Sequence, residues 1–259
     1  MSQTRFAVAC GSLLLLSGAC TAPGGASNGG VDLQSGASAS AVTPPAASVI
    51  GPTAASLSST ASAAPASARS RTFDDEAVGS PPVGFSFART GSGALGRWVV
   101  RAEAGAPSGA NVLAQIDADG TDYRFPVAVL DEPALRDARV SVRCRTVSGR
   151  VDQACGLVAR YRDENNYYLT RANALEDNVR LYTVVDGQRR QLASWSGRVT
   201  PNAWHEYRLE LRGDHLEVFW DGQRVLDQRD ATFGEAGHVG VWTKADSVTS
   251  FDDLHVEAL

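Results

Sequence analysis

The pattern of short runs after Thr72 most constrains how this chain can fold. Runs rich in Val, Tyr, Trp, Leu and Arg are separated about every ten residues by Gly, Asp and Asn, which is typical of strands joined by turns. No window keeps an apolar face at helical period for long. The clearest runs are 98–102, 139–146, 156–161, 167–173, 179–185, 189–194, 205–211, 216–220, 237–242 and 249–256. The sequence therefore predicts an all-β domain over 72–259, either a β-sandwich or a β-barrel.

Alternation is clearest in the hairpin around the Arg-Gly-Asp triplet at 212–214, which we interpret as a turn and not as an adhesion motif. One face of this hairpin is apolar and consists of Tyr207, Leu209, Leu211, Leu216, Val218 and Trp220. Glu206 and Glu210 share the opposite face of the first strand, so we expect them on a solvated surface.

The N-terminus predicts export. Arg5 precedes an apolar run over 6–16, which is too short to remain as a membrane-spanning helix. Small residues follow and end at Cys20, and Leu-Leu-Ser-Gly-Ala-Cys resembles the lipobox of bacterial lipoproteins. We therefore predict a signal peptide over 1–19 and lipidation of Cys20, with Thr21 favouring the outer membrane, facing the periplasm or the cell surface. Ordinary secretion with cleavage after Ala19 is the alternative.

Residues 20–71 are mostly Ala, Ser, Gly, Thr and Pro. Such a segment buries too little apolar surface to offset its ordering entropy, so we predict a disordered tether with a span of roughly 40 Å. The formal net charge of -5 provides no basic surface for nucleic acid. We expect a monomer that contacts a membrane only through its N-terminal lipid.

Cys144 and Cys155 are the two cysteines of the predicted domain. If the runs 139–146 and 156–161 pair as a hairpin, both sulfurs lie on one side, with Val142 opposite Leu157. We predict a disulfide in an oxidising compartment. Two buried free thiols are the alternative.

Three segments carry a resemblance to known families. Segment 156–182, with Tyr-Arg-Asp-Glu-Asn-Asn-Tyr-Tyr at its centre, resembles the central strands of concanavalin A-like and laminin-G-like jelly rolls, as does 204–211. Segment 240–254 is similar to bacterial envelope domains grouped as 3-keto-disaccharide hydrolase-like. The resemblance covers about Phe73 to the C-terminus. It implies an antiparallel two-sheet β-sandwich, a jelly roll whose first and last strands are close. It also implies carbohydrate as the leading ligand class.

Polar and aromatic residues at strand spacing suggest where a sugar would bind. The candidate ligand-binding residues are Tyr168, Arg171, Asn173, Asn178, Arg180, Trp242 and Lys244. Trp242 or Tyr168 would stack on the apolar face of a sugar ring while the polar groups hydrogen-bond its hydroxyls. The alternative is that the polar residues form ion pairs on a solvated sheet and Trp242 belongs to the core. A structural envelope role without a ligand also stays open.

A catalytic role is the second hypothesis. The Glu-x-Asp-x-x-Glu motif of laminarinase-type glycosidases is absent from the sequence. The resemblance to 3-keto-disaccharide hydrolases instead suggests Lys244, Asp246 and Arg171 as an acid/base and electrophile set.

Two acidic doublets near the ends of the domain suggest a structural Ca²⁺ site. They are Asp74-Asp75 and Asp252-Asp253, each preceded by Phe, and carboxylates from adjacent strands suit Ca²⁺. Solvated turns are the alternative. The four histidines lack ligand spacing, so we predict neither zinc nor any other cofactor.

Overall fold

The computed structural model describes residues 68–259, and its strands are all antiparallel to their neighbours. The strands are β1 (Arg69–Arg71), β2 (Phe85–Gly91), β3 (Trp98–Ala102), β4 (Asn111–Gln115), β5 (Arg124–Leu130), β6 (Ala138–Ser148), β7 (Ala154–Asp163), β8 (Asn166–Asn173), β9 (Asn178–Val185), β10 (Gln188–Ser196), β11 (His205–Arg212), β12 (His215–Trp220), β13 (Gln223–Arg229), β14 (His238–Trp242) and β15 (Val248–Ala258). The predicted all-β class is confirmed. The predicted signal peptide, Cys20 and most of the predicted tether lie outside the described residues.

These strands form two sheets. The eight-stranded sheet has the order β13-β12-β11-β6-β15-β4-β3, with β1 also pairing to β15. The seven-stranded sheet has the order β10-β9-β8-β7-β14-β5-β2. One apolar cluster joins the inward faces of both sheets and includes Val140, Leu209, Leu157 and Leu181. The fold is therefore the predicted two-sheet sandwich.

The hairpin of β11 and β12 has the predicted register. Tyr207 lies opposite Trp220, and Leu209 lies opposite Val218. These side chains are buried in the cluster between the sheets, so the alternation predicted around 212–214 is confirmed.

The predicted disulfide forms between Cys144 and Cys155, whose Cα atoms are 6.5 Å apart. The predicted hairpin around it is wrong, because β6 pairs with β11 and β15 while β7 pairs with β8 and β14. The bond therefore joins the two sheets across the core. Inward-facing side chains of two stacked sheets and of one hairpin have the same period of two, so the sequence pattern does not distinguish them.

The first strand, β1, precedes the predicted domain boundary at Thr72. Arg69 lies opposite Val256 of β15, which brings the first and last strands together as the resemblance implied. The pattern also missed β2, β4, β5 and β13. Among residues 68–259 there is no helix long and apolar enough to cross a membrane.

Candidate functional site

The outward face of the seven-stranded sheet, turned away from the other sheet, is apolar and aromatic. Its buried side chains form a second cluster, here called the aromatic cluster, made only of residues from this sheet. Its members are Phe125, Val127, Val129, Ala154, Val158, Tyr161, Tyr167, Leu169, Tyr182, Val184 and Trp242. Strands β5, β7, β8 and β9 therefore bury side chains on both faces.

Trp242 lies at the centre of the aromatic cluster. Its backbone partner on β7 is Gly156, and a Cβ at Gly156 would lie 3.0 Å from Cε3 of the indole. The ring centroid of Phe125 is 5.3 Å away. Since Trp242 is fully buried, its ring packs within the protein, which agrees with the core alternative and not with stacking on a sugar.

A group of charged and amide side chains lies beside the aromatic cluster, and we call it the charged network. It consists of Asp122, Asp152, Arg171, Asn173, Glu176, Asn178, Arg180 and Lys244. The network contains all the polar residues predicted to bind a ligand. The structure therefore brings Arg171, Asn173, Asn178, Arg180 and Lys244 together, as the sequence pattern suggested.

Lys244 connects two carboxylates at one end of the network. Its Nζ lies 2.8 Å from Asp122 Oδ1 and 2.9 Å from Asp152 Oδ2. The other oxygen of Asp152 accepts a hydrogen bond from the Asn173 amide at 2.7 Å. The Asp122 side chain is 75% exposed whereas that of Asp152 is 1% exposed, so this end joins the surface to the interior.

Glu176 organises the other end of the network. Its Oε2 lies 2.9 Å from Arg171 Nη2 and 3.1 Å from Arg180 Nη2. Arg171 Nη2 also donates to Asn178 Oδ1 at 2.8 Å, and Asn178 Nδ2 donates back to Glu176. The Arg171 side chain is 2% exposed, but those of Arg180 and Glu176 are 33% and 37% exposed. Arg180 and Glu176 are thus accessible to a ligand.

In each of three groups of the network, burial and the charged or hydrogen-bonded partners shift the pKa in opposite directions. Burial raises the pKa of Asp152, although Lys244 and Arg171 oppose the shift. Burial lowers the pKa of Lys244, but hydrogen bonds to Asp122 and Asp152 raise it by more. Burial raises the pKa of Glu176, yet hydrogen bonds from Arg171 and Asn178 bring it to about 2. Lys244 and Glu176 are therefore charged at neutral pH.

Local backbone structure positions these groups. Asn173 Oδ1 accepts hydrogen bonds from the backbone N–H groups of Leu175 and Glu176, which fixes the turn between β8 and β9. The buried Arg124 side chain donates to the carbonyl of Ala245, which holds the loop that carries Lys244. Asn173 is itself fully buried, so it shapes the network and does not face a ligand.

Two predicted residues lie elsewhere or have other roles. Tyr168 points into the core between the sheets, where its hydroxyl donates to Asp230 Oδ1 at 2.8 Å. The structure thus separates Tyr168 from Arg171. Side chains alternate between the two faces of a sheet, so residues three positions apart on a strand lie on opposite faces. The Asp246 carboxylate accepts backbone N–H bonds from Arg150, Val151 and Asp152. Burial raises its pKa, but these bonds lower it by more, so Asp246 acts as a loop anchor.

Two of the four predicted Ca²⁺ ligands, Asp74 and Asp252, are engaged by the protein. Asp74 accepts the backbone N–H bonds of Ala110 and Asn111, and the buried Asp252 accepts those of Ser108 and Asp253. Asp75 and Asp253 do not join them in a candidate metal cluster among the described residues. The solvated-turn alternative fits Asp74, and Asp252 is a buried loop anchor.

The group that does meet metal-ligand spacing in the described part is His215, Glu217 and Asp227, on the outward face of the eight-stranded sheet. His215 Nε2 lies 2.7 Å from Asp227, and Arg224 Nη1 lies 2.6 Å from Glu217. An arginine thus already supplies positive charge there. Glu210, on the same face, is paired with Arg139 at 2.9 Å, as expected for ion pairs on an outward surface.

A pocket of about 170 Å³ lies on the seven-stranded sheet near the edge strand β2. Its lining residues are Ser86, Ala88, Val129, Leu130, Asp131, Tyr161 and His238. No residue of the charged network lines this pocket, so the two features are separate.

The sequence pattern did not indicate that Asp122, Asp152 and Glu176 belong to the site. All three lie outside the predicted strands, and each reaches its partner through a loop. The one feature of the sequence that could have indicated them is the position of acidic residues next to predicted strands that carry Arg or Lys. Glu176 lies in the turn between β8 and β9 and is close in sequence to both of its arginine partners. Asp122 and Asp152 come from loops whose neighbours depend on how the strands are connected, and spacing alone does not reveal those connections.

Comparison with solved structures identifies the class of fold. The carbohydrate-binding module CBM66 from Bacillus subtilis superposes with a TM-score of 0.52 at 19% identity, over 66% of this chain and 95% of that chain. A Bacillus subtilis protein of unknown function with a galectin-like fold gives 0.47 at 10% identity, over 67% and 89%. The VIP36 exoplasmic/lumenal domain in its Ca²⁺/Man-bound form gives 0.46 at 10% identity, over 68% and 83%.

The described domain is thus an antiparallel two-sheet β-sandwich that shares its fold with the carbohydrate-binding module CBM66. At this level of identity the likeness establishes the fold and not the activity. No protein-family model matches the chain, and a search of curated proteins finds no significant match. The resemblance of segment 240–254 to 3-keto-disaccharide hydrolase-like domains therefore stays a prediction.

Proposed function

We propose that this protein binds carbohydrate through the outward face of the seven-stranded sheet, at the charged network. The observation that carries the proposal is the accessible pair of Arg180 and Glu176, in which the buried Arg171 holds Glu176 and Glu176 pairs with Arg180. Opposite charges held together offer both donors and acceptors, which suits the hydroxyl groups of a sugar. The shared fold with a carbohydrate-binding module supports the same ligand class.

The bonding of the catalytic candidates favours binding over hydrolysis. Asp246 is occupied by backbone N–H groups, and Lys244 lies between two carboxylates. A general acid or base needs an oxygen or nitrogen that reaches the substrate. Hydrolysis of 3-keto-glycosides is the second candidate, and it would show as turnover of 3-keto-lactose that a Lys244→Ala variant loses.

The proposal extends to the cell envelope. The inter-sheet disulfide suits an oxidising compartment, and the sequence of 1–20 supports export with lipid on Cys20. In this proposal, the segment from Cys20 to the start of β1 tethers a monomeric sugar-binding domain to the outer membrane. Mass spectrometry of the mature N-terminus from membranes would show an acylated Cys20, and an unmodified N-terminus after Ala19 would indicate plain secretion.

A pair of arginine variants tests the binding proposal. Glycan-array screening identifies a ligand, and calorimetry then compares the native chain with Arg180→Ala and Arg224→Ala. Arg180→Ala is expected to weaken binding by about tenfold or more, because it removes an accessible donor. Arg224 is a matched, ion-paired arginine on the other sheet, so its variant should bind normally. Absence of binding to any saccharide at millimolar concentration would overturn the proposal.

A further inference from the structure

Arg189 lies on the outward face of the seven-stranded sheet, at the start of the edge strand β10. Its backbone partner is Val184, a member of the aromatic cluster. The guanidinium carbon is 4.5 Å from the ring centroid of Phe125 and 4.8 Å from that of Tyr182. Two aromatic rings thus hold this cation in place.

Arg189 differs from Arg171, Arg180 and Lys244 on this face because those three side chains form ion pairs with carboxylates. Arg171 and Arg180 pair with Glu176, and Lys244 pairs with carboxylates as well. An ion pair requires a nitrogen and a carboxylate oxygen within 4.0 Å of each other. Within residues 68–259, no carboxylate oxygen lies that close to a side-chain nitrogen of Arg189. Its Nε and Nη1 atoms are buried and have no hydrogen-bond acceptor.

The charged network and Arg189 together contain one more cation than carboxylates. The cations are Arg171, Arg180, Arg189 and Lys244, and the carboxylates are Asp122, Asp152 and Glu176. One positive charge is therefore left over, and it is that of Arg189. Beside it, Tyr123 is 37% exposed and its ring centroid lies 4.6 Å from that of Phe125. An accessible ring next to a cation suits a sugar that carries an acidic group.

We infer that the ligand is an acidic saccharide, one that contains a uronic acid, and that Arg189 binds its carboxylate. The inference rests on the proposed function and specifies its ligand class. The carboxylate would approach the accessible part of this half-buried guanidinium, and its charge would pair with that of Arg189, which forms no ion pair within residues 68–259. Tyr123 would contact the apolar side of the same sugar residue.

The experiment compares hexuronate oligosaccharides with their methyl esters, which keep the backbone but remove the charge. Galacturonate, glucuronate, mannuronate and guluronate trimers are titrated into the full chain by calorimetry, alongside a neutral glycan array. At least one acid is expected to bind about tenfold more tightly than its ester. Arg189→Gln should abolish that preference, Arg189→Lys should keep part of it, and Arg224→Gln should leave it unchanged.

The outcomes separate the two proposals. Binding of saccharides without any preference for acids over esters would overturn the acidic-ligand inference and leave the proposed function intact. A preference that survives in a folded Arg189→Gln variant would also overturn the assignment of Arg189. If no acidic or neutral saccharide binds the native chain, the proposed function itself fails.

Discussion

The outward faces of the two sheets differ in chemistry, although both belong to the same sandwich. On the eight-stranded sheet, β6 alternates buried and more exposed residues, and its outward side carries ion pairs such as Arg139 with Glu257 at 2.7 Å. On the seven-stranded sheet, β5 and β8 are buried on both faces. The first face is a solvated surface, whereas the second buries an aromatic cluster beside the charged network at which we propose that a sugar binds.

The largest expected difference between the faces is in the loss of stability when one aromatic residue on each face is replaced by Ala. Trp242→Ala removes a fully buried indole from the aromatic cluster and should lower the free energy of unfolding by about 3–5 kcal/mol. Phe219 is partly exposed on the other sheet, where Arg208 lies 3.9 Å from its ring centroid. Phe219→Ala should cost less than about 1 kcal/mol. Urea denaturation measures both, and equal losses would contradict the comparison.

The disulfide is expected to connect the stabilities of the two sheets. Replacing both Cys144 and Cys155 with Ala should lower the free energy of unfolding by about 2–4 kcal/mol, because the cross-link restricts the unfolded chain. Hydrogen exchange should then show lower protection in the central strands of both sheets. Loss of protection in one sheet alone would argue against the cross-link as a shared support.

A smaller loss of stability is expected from a substitution at Gly156, where the Trp242 indole packs against the backbone of β7. In Gly156→Ala, the new Cβ would lie 2.8 Å from the Thr170 carbonyl oxygen and 3.0 Å from Trp242. This overpacking should cost about 1–3 kcal/mol and shift the tryptophan fluorescence. Ser141→Ala, on the outward side of β6, is the control and should change stability by less than about 0.5 kcal/mol. A stable Gly156→Ala protein with native fluorescence would show that the indole has room to move.

The smallest effect is a dependence on pH. The pKa of Glu176 is about 2 in the folded protein, below its ordinary value of 4.5, because Arg171 and Asn178 outweigh burial. A depressed pKa stabilises the fold above pH 4.5, and this contribution disappears as the pH falls toward 2. The stability advantage of the native chain over Glu176→Gln should therefore shrink across that range in thermal melts. An advantage that stays constant would mean that Glu176 gains nothing from its ionised partners.

Sequence predictability does not follow the division between the faces, since β13 of one sheet and β5 of the other were both missed. Runs with one solvated side, such as 205–211 and 216–220, give the correct strands, because alternation reports directly on burial. Strand β5 was missed since it is apolar on both faces and contains Pro126. Strand β13 was missed because it is a polar edge strand. Both lack the alternating signal on which the prediction depends.

The candidate site was predicted in part for a related reason. Arg171 and Asn173 share a face by strand period, and the structure places them in one network with Lys244. Their partners Asp152 and Glu176 come from loops, and Arg189 lies on an edge strand. The contacts that give these residues their roles depend on which segments become neighbours.

The amino-acid sequence by itself determined the all-β class, the turn around 212–214 and the cysteines that pair, because these follow from local period and composition. The tertiary structure decided that Cys144 and Cys155 join two sheets, that Trp242 is buried, and that Arg189 has no partner carboxylate in residues 68–259. The physical reason is that strand period fixes the side of a sheet on which a residue lies. It does not fix which strands are adjacent, and burial and charge pairing arise only from that adjacency.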